Sequence, residues 1–381
     1  MSYDVIIAGA GSMGMSAGYY LARSGAKTLM IDAFDPPHTS GSHHGDSRLM
    51  RHAYSGSPVY TEMALRSDYL WRELEAEGDA ALFVQSGVLN MGQWDSELLK
   101  TKEERASNYR IPIESLNADD IRGRWKGLQI PDHTRGLYEP QAGFLLSEAC
   151  VQTYRNLAIR QGAKLLTHTP IITYRADGHS VSVETKEGIY YADKLILCMG
   201  AWFQTKVSQA ELPIQAVRKA VGWFEAPGSL FDHTRFPGFT FSNGQGEYYG
   251  FPSYRESGVK IGRHDAGQLW KPDETFEPFG HYSEDESDLR GALNTTMPQA
   301  SGRLLRGAVC KYERTPDEHF IIDNHPQHAN VWLAGGFSGH GFKFASAVGE
   351  LLSEKVWSGI DRYDLSPFSI SRFKGCSDKT K

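Results

Sequence analysis

Four apolar runs punctuate this chain, and each stops at a turn residue or an acid. Residues 3–8 (Tyr3-Asp4-Val5-Ile6-Ile7-Ala8) predict a buried strand before Gly9, and residues 27–31 predict a second before Asp32. Residues 194–202 read as a third that runs into the turn at Gly200, and residues 331–336 as a fourth ending in Gly335-Gly336. Continuous aliphatic runs of about four to eight residues mark strands covered on both faces. Residues 15–24 predict a helix between the first two strands, stopped by Gly25. Ser147-Glu148 opens another helix, with Cys150, Tyr154, Leu157 and Ala158 on one face. Gly162 closes it, and residues 164–167 predict the next strand. Residues 60–77 predict a helix, 83–91 a strand and 342–357 a closing helix. Residues 181–185 and 189–192 alternate as a hairpin does.

From 214 to 312 the chain is rich in aromatics and turn residues, with short β-like runs. Strand and helix signals of the first kind thus recur at the start, middle and end. They predict an α/β fold of two domains: a Rossmann-like nucleotide-binding domain with an inserted antiparallel-sheet domain. The nucleotide-binding parts are 1–82, 146–213 and 315–373, the inserted parts are 83–145 and 214–314, and 374–381 is a polar tail. At 381 residues the chain is longer than one core usually serves. A C-terminal strand that returns to an N-terminal nucleotide site is more typical of flavoproteins than of NAD dehydrogenases.

Composition narrows the partners. A hydrophobic share of 40% and a charged share of 23% describe a globular chain. A net charge of −6 argues against nucleic acid or an anionic membrane as partner. No apolar run approaches the ~18 residues of a membrane span, and no signal peptide is evident. Cys150, Cys198, Cys310 and Cys376 lack C-x-x-C spacing, which fits a reduced, cytoplasmic chain. His43, His44, Asp46 and His52 cluster in a loop rich in Gly and Ser. Adjacent histidines rarely face one ion, so no metal site is expected.

The strongest motif is Gly9-Ala10-Gly11-Ser12-Met13-Gly14, which lies between the first strand and the first helix. Two glycines let the backbone turn and approach a pyrophosphate, and the third lets the helix pack on the sheet. The helix N-terminus offers free N–H groups and a positive dipole end to the phosphates. Asp32 stands where ribose hydroxyls would be bound. An acid there argues against a 2′-phosphate and leaves NAD and FAD both open.

Three further blocks carry a resemblance. They are His43-His44-Gly45-Asp46-Ser47-Arg48 with Arg51-His52-Ala53-Tyr54, then Gly307-Ala308-Val309-Cys310 with residues 316–323, and Gly335-Gly336-Phe337-Ser338-Gly339-His340-Gly341-Phe342-Lys343-Phe344. With the fingerprint, they closely resemble the monomeric sarcosine oxidase and N-methyltryptophan oxidase family over residues 3–373. The resemblance implies an FAD-dependent amine oxidase that converts N-methyl amino acids, O₂ and water to the free amino acid, formaldehyde and hydrogen peroxide. It also implies a monomer whose partners are the amino-acid substrate and O₂. Sarcosine, giving glycine, is the first substrate it implies; alternatives are an oxidase of N-methyltryptophan or another secondary amino acid, a flavin amine dehydrogenase using another acceptor, and a dinucleotide sensor without catalysis.

The resemblance assigns roles residue by residue. Cys310 would form the thioether to the flavin 8α-methyl group. Arg51 and Lys343 would hold the substrate carboxylate, an Arg fork and a second cation suiting that anion. Lys260 would promote oxygen reduction, because a fixed ammonium stabilises the charge of superoxide. Arg48 would lie beside the flavin ring and favour its anionic reduced form. Tyr249, His264, Tyr312 and Thr240 would line the cavity, with His264 hydrogen-bonding at the amine or carboxylate end. FAD would further contact Gly9, Gly11, Ser12, Met13, Gly14, Asp32, Ser42, His43, His44, Gly339, Gly341 and Lys343. Three positions depart from the pattern. Residues 55–58 (Ser-Gly-Ser-Pro) lack an acid that relatives often carry, Thr240 stands where sarcosine oxidase has methionine, and Ser47 replaces threonine.

Overall fold

The computed structural model describes residues 2–206 and 212–373, so the tail expected over 374–381 lies outside the described residues. An eight-stranded sheet is built around Ser2–Ala8. That strand runs parallel to Thr28–Ile31 on one side and to Gly188–Leu197 on the other. Thr28–Ile31 pairs in parallel with Lys164–Leu166. The runs at 189–192 and 194–197 are two halves of one strand. Its first half pairs with Val181–Thr185 and its second with His328–Gly335. The change of neighbour explains the change of pattern: the first half mixes exposed and covered residues, whereas Leu195, Ile196 and Leu197 are buried.

A nine-stranded, largely antiparallel sheet forms the other half of the α/β architecture. Leu304–Arg314 pairs with Gln215–Phe224 along its length, placing Cys310 opposite Lys219. Val259–Arg263, Glu247–Phe251 and Gly238–Ser242 continue the sheet to Val88–Gln93, which joins Gly238–Ser242 in parallel. A small third sheet holds Ser47–Met50, Gly143–Leu146 and Phe83–Val84.

The strand expected over 83–91 is therefore divided between two sheets. Gly87, at φ +72°, turns the chain where a Cβ would strike the Tyr138 ring at 2.4 Å. Three helices lack an apolar stripe strong enough to be read from sequence: Glu97–Tyr109, Ala118–Arg124 and Glu284–Thr296. Local chemistry supports the first two. Ser96 caps the first, and Asn117 and Asp120 form a capping box on the second. The closing helix begins as a tight turn at Phe342–Phe344 and continues as the wholly buried Ala345–Ser353. It ends in a wide turn at Glu354–Ser358.

Close packing sets the nucleotide end. The fingerprint helix, Ser12–Arg23, has no room for side chains where it meets its neighbours. A Cβ on Gly14 would lie 1.9 Å from the Gly9 carbonyl oxygen, and one on Gly349 would lie 2.1 Å from Ser16 Oγ. No helix among the described residues is long and apolar enough to cross a membrane.

Gly14→Ala should push the helix off the first strand, because the clash is with backbone. Overpacking costs about 1–3 kcal/mol. A lower urea midpoint and lower FAD content in the purified variant are expected, and unchanged values for both would refute the close-packing account.

Candidate active site

Two cavities meet the requirements of a cofactor and a substrate. The first, about 260 Å³, opens at the start of the fingerprint helix and is lined by Gly9, Gly11, Ser12, Met13, Asp32, Ser42 and His43. Thr169, Cys198, Met199, Trp202 and Glu313 complete it. A Cβ on Gly9 would sit 2.4 Å from the Cys198 carbonyl oxygen, so the turn admits only glycine. Gly14 does not line the cavity; it packs the helix on the sheet. Asp32 is tied to the protein itself. Its Oδ2 accepts from the Ala10 N–H at 2.7 Å and its Oδ1 from the Phe34 N–H at 2.9 Å, so it braces the turn while facing the cavity.

The histidines of the loop are buried. His43 accepts the His38 N–H at its Nε2. Burial, then neighbouring His38, pushes its pKa down to about 3. Burial, then Arg48, pushes His44 down to about 4, and its Nε2 has no hydrogen-bond partner. His44 lines neither cavity. Among the described residues, no three His, Cys, Asp or Glu side chains gather as a metal site would need.

The second cavity, about 660 Å³, collects Arg48, Arg51, Tyr249, His264, Cys310, Tyr312, Thr240, Gly339 and Lys343. Gly339 is required there, because at φ +79° a Cβ would strike the Tyr312 ring at 2.1 Å. Gly341 lies outside the cavity, against Phe337. Arg48 is fixed by the carbonyls of Ser42, His44 and Ser47.

Arg51 donates to Asn90 Oδ1 at 2.8 Å and lies over the Tyr54 ring. Lys343 Nζ donates to the Tyr54 hydroxyl at 3.1 Å and to the His340 carbonyl at 2.8 Å. Burial, then Arg51, pushes its pKa well down. Neither cation has a carboxylate within ion-pair distance among the described residues. Burial, then Lys219 and Arg51, lowers His264 to about 3, so its imidazole is neutral. Burial, then Cys310, pushes the Tyr249 hydroxyl pKa up.

Lys260 does not line either cavity. Its Nζ donates to the carbonyls of Gly45 and Ser47 and to Ser47 Oγ, between the rings of Trp223 and Phe251. Burial, then Arg48, pushes its pKa well down, while the oxygens and ring faces favour the charged form.

Four participants have no signal among the expected site residues: Asn90, Lys102, His52 and Glu139. Asn90 Oδ1 accepts from Arg51, from Thr240 Oγ1 at 3.1 Å and from Lys102 Nζ at 3.3 Å. His52 lies between Glu139 (3.4 Å) and Asp68 (3.7 Å). Burial pulls its pKa down, but hydrogen bonds to Asp68 and Glu139 outweigh that and raise it to about 9.

A glycine-turned cradle at a helix N-terminus, with a second cavity lined by buried cations, is the arrangement of a dinucleotide-dependent enzyme. The chain belongs to the FAD-dependent oxidoreductase family, whose model matches residues 4–355. It is 49% identical over 374 residues to monomeric sarcosine oxidase of Bacillus sp. (strain B-0618), covering 97% of this chain and 96% of that one. It is 42% identical over 375 residues to N-methyl-L-tryptophan oxidase of Citrobacter koseri, covering 98% and 100%. Among solved structures, an unusual amino acid oxidase essential for nikkomycin biosynthesis superposes with a TM-score of 0.85 at 20% identity, over 97% of each chain, which establishes the shared fold. The residues present fit FAD. The Gly9 turn and the helix N-terminus suit its pyrophosphate, and Cys310 and Arg48 border the second cavity where a flavin ring would reach.

His52 makes stability pH-dependent. A pKa raised from 6.5 to about 9 contributes stability on the order of a few kcal/mol. That contribution is fully present below pH 6.5 and is lost as pH rises through 9. Urea midpoints should fall across this window in the native protein. His52→Gln should be less stable at pH 6.5 and show a flatter decline; an unaltered slope would reject the triad's role.

Proposed function

We propose that this protein is a flavin-dependent oxidase of N-methyl amino acids, with sarcosine as its most direct substrate, acting as a cytoplasmic monomer. The observation that carries this reading is the pair Arg51 and Lys343, both facing one cavity and both without a carboxylate partner among the described residues. A substrate carboxylate supplies the missing charge, and a charge-assisted pair in a desolvated pocket is strong. Asn90 and the Tyr54 ring hold the Arg51 fork in place for it. The same cations disfavour an ammonium beside them, so a bound amine loses its proton and exposes the lone pair that oxidation requires. Neutral His264 adds no charge and offers one donor and one acceptor to the amine end.

Bound FAD supplies the two-electron acceptor and passes the electrons to O₂. The balance is R–NH–CH₃ + O₂ + H₂O → R–NH₂ + HCHO + H₂O₂: a methyl C–H bond is oxidised, and water cleaves the resulting imine. Cys310 borders the cavity and is the candidate for the 8α-thioether. Lys260 and Arg48 are both held by carbonyls of residues 42–47, and their field would stabilise the charge that arrives on O₂.

The test is an air-saturated assay with sarcosine and N-methyl-L-tryptophan. Peroxide and formaldehyde should appear in equal amounts, and protein precipitated with acid should stay yellow. Cys310→Ala should release its flavin on the same treatment. Absence of flavin reduction by any N-methyl amino acid would reject the oxidase, and free flavin from the native protein would reject the thioether alone.

Lys260→Met should slow reoxidation of reduced flavin by O₂ about tenfold or more, following the loss of a fixed stabilising charge. Anaerobic reduction by sarcosine should change far less. Stopped-flow absorbance times the two half-reactions separately, and normal reoxidation would remove Lys260 from oxygen activation.

A further inference from the structure

We propose that Lys102 forms a second anion subsite in the substrate cavity, so that the preferred substrate is a secondary amine bearing two carboxylates. This rests on the oxidase reading above and names its substrate class. Lys102 lies on the helix Glu97–Tyr109 but faces inward, with only 5% of its surface exposed, and lines the same cavity as Arg51 and Lys343.

Among the described residues, its only hydrogen bond is the 3.3 Å contact to Asn90 Oδ1. That oxygen has two lone pairs and already serves Arg51 at 2.8 Å and Thr240 at 3.1 Å. Burial, then Arg51, pushes its pKa well down, so the amino group, left with one weak, shared acceptor, is held fully charged only beside a bound anion. Among the described residues, no carboxylate lies within ion-pair distance of it. Buried cations are ordinarily paired, because an unpaired one is costly.

Among the described residues, the acids near the cavity make no ion pair with Lys102. Buried Glu139 has its Oε2 committed to His52. Asp317 pairs with Arg372 and Glu318 with Arg314. Asp95 and Glu247 line the cavity from exposed positions, and Glu139 and Glu247 favour the charged form of Lys102 only from beyond ion-pair distance. The rim residues Ser55 and Gly56 add no negative charge that would repel an acid.

Charge counting decides the substrate class. One carboxylate between Arg51 and Lys343 leaves Lys102 without a counter-charge. A second carboxylate reaches it from the other side of Arg51, since Arg51 and Lys102 share the Asn90 oxygen. That carboxylate belongs to an acidic side chain or to the group on nitrogen.

The test uses flavin-loaded enzyme and peroxide formation. N-methyl-L-aspartate and N-methyl-L-glutamate are compared with N-methyl-L-asparagine and N-methyl-L-glutamine, and iminodiacetate with its monoamide. At least one diacid should exceed its neutral isostere tenfold or more in kcat/KM. The first four compounds report a side-chain acid and the last two an acid on nitrogen. Lys102→Met should cut that ratio at least tenfold, and Lys102→Arg should restore most of it. Anaerobic titration with thiodiacetate, whose sulfur replaces the oxidisable nitrogen, reads binding through the flavin spectrum without turnover. Its affinity should fall in Lys102→Met more than that of its monoamide. Diacid ratios at or below one in the native enzyme overturn the subsite, as does a variant that weakens diacid and monoamide equally. Turnover of sarcosine alongside such a result leaves the oxidase reading standing. Thiodiacetate binding without oxidation of any amine supports the subsite and rejects the oxidase.

Discussion

Positive charge held inside without a partner is the constraint around which this structure is arranged. Arg51, Lys102 and Lys343 share one cavity, and the protein withholds from each the carboxylate that would neutralise it. Folding does not provide such an arrangement freely, since a desolvated, uncompensated cation opposes stability. The surroundings supply partial relief instead. The Asn90 amide oxygen and the Tyr54 hydroxyl and ring accept or face the cations, as does the His340 carbonyl. Glu139 stands near but is bound to His52, which keeps the buried acid from collapsing onto the arginine. The result is a site whose electrostatics are completed by its ligand.

The scaffold delivers this charge to a flavin by strand geometry. Side chains alternate across a β-strand. Along Leu304–Arg314, Cys310 and Tyr312 therefore face the substrate cavity, while Glu313 faces the nucleotide cavity. One strand thus contributes to both compartments. On the cradle side, buried Glu313 accepts the Gly336 N–H at Oε2, and burial raises its carboxyl pKa to about 7. A carboxyl shifted this way carries less negative charge near neutral pH, which would suit an anionic cofactor in that cavity. The short strand Ser47–Met50 does similar work. It places Arg48, and Arg51 just beyond it, from a small sheet outside the two large ones.

Much of this was legible in the sequence because its causes are local. The fingerprint strand and helix follow from glycine spacing and apolar runs, and Gly9 and Gly14 occupy the close approaches that the motif demands. The blocks around Arg51, Cys310 and Lys343 were likewise readable as units. Asn90 and Lys102 were not. Lys102 sits in the run Lys100-Thr101-Lys102-Glu103-Glu104-Arg105, which reads as a solvated face, and its neighbour Lys100 does pair in the open with Glu97. The one available signal was the spacing of Leu99, Lys102 and Ala106 on one helix face, where a lysine occupies an apolar position. Lys260 illustrates the opposite limit. Its block was recognisable, but the carbonyls that hold it come from residues 45 and 47, a contact that only the fold brings about.

The central strand of the parallel sheet has a consequence for how the protein is made. Ser2–Ala8 is synthesised well before its partner Gly188–Leu197, and His328–Gly335 and the helix that seals Gly349 against Ser16 come later still. Long-range pairing of this kind is slow and leaves apolar edges uncovered while it waits. The nascent chain must keep that strand protected until those partners arrive. The nucleotide cavity is likewise closed only when Glu313, Ala334 and Phe337 join the lining supplied by earlier segments.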